Sequence, residues 1–152
     1  MSTAARLAEL GIELPDVVAP VAAYVPALRH GDVVHTSGQL PLVNGELQGT
    51  GKVGAEVSAE QAYDLARVCA LNGIAAAASV VGGVDNLTGL VKVVGFVNSA
   101  PDFTGHPAVI NGASEFLLEV FGDAGVHARS AVGVAALPMG APVEVEFVFA
   151  VA

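Results

Sequence analysis

The segment "VEVEFVFAV" (143–151) carries apolar side chains on both sides of a strand's pleat. Side chains alternate along a strand. Val143, Val145, Phe147, Phe149 and Val151 therefore share one face, and Glu144, Glu146, Val148 and Ala150 the other. "LVKVV" (90–94) and "VGVAAL" (132–137) show the same doubled apolar character. A sheet of such strands needs cover on two sides, because a large open apolar face is not left in water. The composition agrees: 53% of the 152 residues are hydrophobic and 14% are charged, well under the usual quarter. A second copy of the same sheet is the simplest cover, so the pattern alone predicts a homo-oligomer.

The length suits one domain, residues 1–152. Residues 2–10 predict a short helix, with Ser2 as cap and Gly11 as stop. Pro15, Pro20 and Pro26 keep 12–28 in extended or turn conformations. A six-residue strand follows in 31–41, then a loop over 42–54 with at most a short hairpin at Asn44-Gly45. Residues 58–83 predict a helix, opened by a Ser58/Gln61 capping box and stopped by Gly82-Gly83. Residues 87–100 predict a strand. Residues 106–125 predict a second long helix, with Val109, Ala113, Phe116, Leu117 and Val120 on one stripe. Strands at 129–137 and 143–151 complete an α+β domain, a mixed sheet with both helices on one face. A turn at Met139–Gly140 would let those two strands pair antiparallel, with Arg129 near the glutamates.

A net charge of −9 with six Lys and Arg argues against nucleic acid and anionic membrane as partners. No signal peptide and no apolar run of membrane-spanning length is visible, so a cytoplasmic protein is expected. The one cysteine, Cys69, reads as a buried structural thiol. His35 reads as a structural strand histidine. His30, His106 and His127 fall in expected loops, and no Cys/His spacing suggests a metal site. Ser37 has no identifiable base partner.

Three charges remain in apolar strands. Arg129 could pair with Glu144 or Glu146, or stand exposed at a strand edge; it could instead clamp a substrate carboxylate through two parallel hydrogen bonds. The glutamates could line a solvated face, or one could hold a water as general base.

Five blocks in order resemble the RidA/YjgF family, also labelled endoribonuclease L-PSP or chorismate-mutase-like. They are "HTSGQLP" (35–41), "VKVVGFVNSAPDF" (91–103), "VINGASEFLLEVFG" (109–122), "ARSAVGVAALP" (128–138) and "VEVEFVFA" (143–150). The resemblance spans about residues 20–152. It is nearest a longer branch, with residues 1–19 as an N-terminal extension and "CALN" at 69–72. It implies three subunits whose sheets pack into a central barrel, with a ligand cleft at each interface. It also implies hydrolysis of reactive 2-imino or 2-enamino acids to 2-oxo acids and ammonia, without metal or organic cofactor. By position, Arg129 matches the carboxylate-gripping arginine and Glu144 the water-positioning glutamate. Tyr24, Ser37, Gly38 and Asn111 match cleft residues. Ala131 stands where many members have cysteine, and "AAY" (22–24) replaces "GPY". Two other functions remain open on this reading: a non-catalytic trimeric binder of small carboxylates, and an endoribonuclease.

Overall fold

The computed structural model describes residues 1–17 and 23–152. Pro20 lies outside the described residues. Helix α1 (Thr3–Glu9) starts where Ser2 Oγ accepts from the Ala5 N–H at 3.1 Å. Gly11, at φ 71°, follows its end. Helix α2 (Ala59–Ser79) has the full capping box. Ser58 Oγ accepts from the Gln61 N–H, and Gln61 Oε1 accepts from the Ser58 N–H. The helix stops short of Gly82-Gly83 because the Val80 and Val81 amides tighten onto carbonyls three residues back. Helix α3 (His106–Phe121) ends at Gly122, φ 61°, and residues 122–125 form a 3-10 turn where helix was expected.

Strands β1 (Ala27–His30) and β2 (Val33–Thr36) form an antiparallel hairpin. The first of these was not legible in the proline-punctuated sequence. His30 thus ends a strand, against the expectation of a loop, whereas His106 opens α3, where the predicted helix began. Strands β3 (Leu42–Val43) and β4 (Glu46–Leu47) flank Asn44-Gly45, both at positive φ, the primed turn that this dipeptide favours.

Strands β5 (Leu87–Asn98), β6 (Ala128–Val134) and β7 (Val143–Val151) complete the main sheet, ordered β1-β2-β7-β5-β6. The sheet is mixed: β6 runs parallel to β5 and the other pairs are antiparallel. The expected β6–β7 pair does not form, because β5 lies between them. The reason is α3. It makes β5-α3-β6 a crossover unit, which sets β6 parallel beside β5 and leaves the other edge of β5 to β7.

Helices α2 and α3 cover one face. Phe116, Phe147, Phe149, Ile74, Ile110, Leu117 and Val93 are fully buried there, with all five residues of the predicted α3 stripe. Small residues bring α2 close: a Cβ on Gly73 would stand 2.5 Å from the Phe147 ring. Cys69 is fully buried, and that burial pushes its thiol well above the ordinary range. On the opposite face Leu28 and Val132 stand exposed beside half-buried Glu144, Glu146 and Val148. Helix α1 docks on the helical side through buried Leu7 and an Arg6 Nε–H donated to the Glu119 carbonyl at 2.9 Å. Among the described residues, no helix is long and apolar enough to cross a membrane.

Candidate functional site

Arg129 stands on β6, an edge strand. It lies opposite Val93, which lies opposite Phe147, so its side chain rises on the helix-covered face. Helix α3 receives it. Nη1 donates to Asn111 Oδ1 at 2.8 Å and to Ser114 Oγ at 3.2 Å; Nη2 donates to the Pro107 carbonyl at 3.3 Å. These acceptors recur at helical spacing along one face of α3. Ala131, opposite Gly95, shares the face of Arg129 and packs half-buried against the core.

Glu144 lies on β7 opposite Phe96, three residues from Phe147, and therefore faces the other side of the sheet. Gln39 and Val145 exchange backbone hydrogen bonds of 2.8 and 3.0 Å, which bring residues 37–40 alongside it. Gly38 lies so near that a Cβ there would overlap the Glu144 carboxylate. Ser37 donates its hydroxyl to the Val25 carbonyl at 2.6 Å and its amide to the Pro26 carbonyl. Tyr24, just upstream, is 58% exposed. Asn72 Nδ2 secures the far end of this segment by donating to the Leu40 and Leu42 carbonyls. Burial, then the negative charge of Glu146, raises the Glu144 carboxyl above its ordinary value.

The candidate residues thus fall into two groups. Arg129, Asn111 and Ala131 form one; Ser37, Gly38 and Glu144, with Tyr24 nearby, form the other. The proximity of Arg129 to the glutamates expected from a β6–β7 hairpin is not found. Nor is an ion pair between them: among the described residues the ion pairs are Arg6–Glu9 and Arg67–Glu119. The intervening β5 separates the strands, and the pleat sends the side chains to opposite faces.

Four residues of this region were missed in the sequence. Ser114 is buried beside Arg129, and His127 Nε2 lies 2.8 Å from its hydroxyl. A serine within the apolar stripe of a helix was the available signal. Asn98 is buried and donates to the Gly51 and Ala141 carbonyls; Lys52 Nζ donates to Asn98 Oδ1 at 2.9 Å and to the Ala135 carbonyl at 2.5 Å. These contacts fasten the ends of β5, β6 and β7 together. Nothing in the local sequence marks that long-range cluster. Among the described residues, no group of three or more His, Cys, Asp or Glu could hold a metal ion.

An arginine with donors left free among the described residues is suited to a carboxylate, and a half-buried glutamate of raised pKa is suited to holding and deprotonating water. With a mixed sheet under two helices, these features define a protein of the YjgF/chorismate-mutase-like class. A family model described as "YjgF/chorismate_mutase-like, putative endoribonuclease" matches residues 4–151, and the chain belongs to that family. It is 45% identical over 146 residues to Protein TCP17 of Trypanosoma cruzi, covering 94% of this chain and 90% of that protein. A solved structure from Shewanella oneidensis, described as a "putative endoribonuclease", superposes with TM-score 0.94 at 30% identity, covering 99% of this chain and 100% of that one. The YjgF gene product of E. coli superposes with TM-score 0.59 at 28% identity, covering 90% and 98%.

Proposed function

We propose that the protein is a cytoplasmic hydrolytic deaminase of reactive 2-imino or 2-enamino acids, assembled as a homotrimer with its sites between subunits. One observation carries this reading: Arg129 and Glu144 point to opposite faces of one sheet. A cleft using both is completed by a second copy, whose Glu144 face meets the Arg129 edge of the first. The exposed Leu28 and Val132 on the open face support such packing.

The chemistry follows from the groups. Arg129 binds the substrate carboxylate and orients the C=N carbon. Glu144 holds a water and takes its proton as the oxygen attacks that carbon. Backbone N–H groups beside Ala131 and Gly38 are suited to stabilising the tetrahedral carbinolamine. Glu144 returns the proton to nitrogen and takes the carbinol O–H proton as the carbonyl forms and the C–N bond breaks, and ammonia and the 2-oxo acid leave. A protonated imine is already electrophilic, so neither metal nor organic cofactor enters the reaction.

The test is ammonia release from imines generated in situ by an amino-acid oxidase. Wild type accelerates it, and Arg129→Ala and Glu144→Ala abolish most of the acceleration. No acceleration by wild type, together with saturable binding of a 2-oxo acid, would make the protein a carboxylate binder instead. The description of the Shewanella relative raises RNA cleavage as a second reading. A net charge of −9 opposes it, and an absence of salt-sensitive RNA binding would end it.

A further inference from the structure

Arg129 is braced from behind by hydrogen bonds running through Ser114 and His127 to Gly125. His127 Nδ1 lies 2.6 Å from the Gly125 carbonyl, which only accepts, so Nδ1 carries a hydrogen. In the neutral ring Nε2 is then an acceptor, and it lies 2.8 Å from Ser114 Oγ. The Ser114 hydrogen points to His127, and its lone pairs face Arg129 Nη1 at 3.2 Å. All donors point one way, an arrangement in which each bond polarises the next.

The guanidinium donors can be counted. Both Nη1 hydrogens have acceptors, Asn111 Oδ1 and Ser114 Oγ. One Nη2 hydrogen has the Pro107 carbonyl. Among the described residues, Nε–H and the second Nη2–H have no acceptor. Nε and Nη2 share an edge whose spacing matches the two oxygens of a carboxylate.

We infer that Ser114 and His127 are positioning residues, which keep Nη1 engaged and so commit the Nε–Nη2 edge of Arg129 to an incoming carboxylate. The inference rests on the carboxylate-clamp reading of Arg129 given above. Packing does not explain the pair. Ser114 is 8% exposed between the apolar stripe of α3 and Asn111, where alanine would fill the space without a hydroxyl to satisfy.

The experiment titrates pyruvate into isotopically labelled protein and follows the Arg129 Nε–H and Nη signals by NMR in the same samples. Wild type is compared with Ser114→Ala, His127→Leu and His127→Gln. Glutamine can accept from Ser114 and donate to Gly125; leucine does neither. Ser114→Ala and His127→Leu weaken pyruvate binding about tenfold and speed rotation of the Nη1 group. His127→Gln restores most of both, which a purely structural role would not produce. Should His127→Leu fail to fold, Ser114→Ala and His127→Gln carry the comparison. Unchanged affinity and unchanged Nη1 rotation in a folded Ser114→Ala protein overturn the inference. Wild type that binds no pyruvate overturns the carboxylate reading itself, and the brace is then judged by rotation alone.

Discussion

Gly38 lies against the carboxylate of Glu144 with no room for a Cβ between them. Gly38→Ala therefore displaces that carboxylate. Ammonia release from imines should fall about tenfold or more, while the fold loses little stability because the displaced group is the end of a flexible, half-buried side chain. Assay of the variant beside a urea unfolding curve separates the two effects. Full activity would remove Glu144 from the reaction.

Arg129 and Glu144 lie on opposite faces of the sheet, so the proposed site needs them to meet across a subunit boundary. Arg129→Ala and Glu144→Ala subunits, each inactive, should complement when unfolded together and reassembled. Random mixing restores about a quarter of wild-type sites if each cleft draws one residue from each neighbour. No recovery would place both residues of a working site in one subunit.

Glu144 gives a pH signature. Its folded carboxyl is raised above the ordinary 4.5, chiefly by burial and next by Glu146. The folded state therefore holds the proton more tightly than the unfolded chain. This contribution is most favourable at low pH and is lost as pH rises from the ordinary value through the folded one. Glu144→Gln, which cannot ionise, should melt above wild type near neutral pH. Its advantage should shrink on acidification to about pH 4. A difference independent of pH would contradict the shift.

Asn98 joins three segments through its buried amide and accepts from Lys52. Asn98→Ala strips partners from the Gly51 and Ala141 carbonyls and from the lysine. It should destabilise by about 1–3 kcal/mol, read from the urea midpoint.

Gly73 admits the Phe147 ring against α2. Gly73→Ala gains helix propensity yet overlaps that ring, and the overlap wins. A net loss of about 1–2 kcal/mol is expected by the same measurement.

Much of this architecture is legible in the chain because its signals are local. The Ser58/Gln61 cap, the Asn44-Gly45 turn and the α3 stripe are each decided within a few residues. Strand order is not local. The β6–β7 pairing looked natural from a short connection, but β5-α3-β6 is a crossover unit, and its geometry overrode the hairpin. The resemblance of separate blocks picked out Arg129 and Asn111, which the fold joins, and Gly38 and Glu144, which it also joins. It could not reveal that these pairs face apart, because that depends on which strand separates them. Ser114 and His127 stayed hidden for a related reason: one sat inside an apolar stripe and the other read only as a loop histidine.

The arginine cradle is closed by chain neighbours, its widest hydrogen bond spanning 22 residues. The acidic half relies on β2 meeting β7, where the Phe147 amide reaches Thr36 across 111 residues. Short loops close sooner than long ones. The surroundings of Arg129 can therefore take shape while the chain is still assembling, whereas those of Glu144 wait for the ends of the molecule to find each other and are the first to be lost when they part.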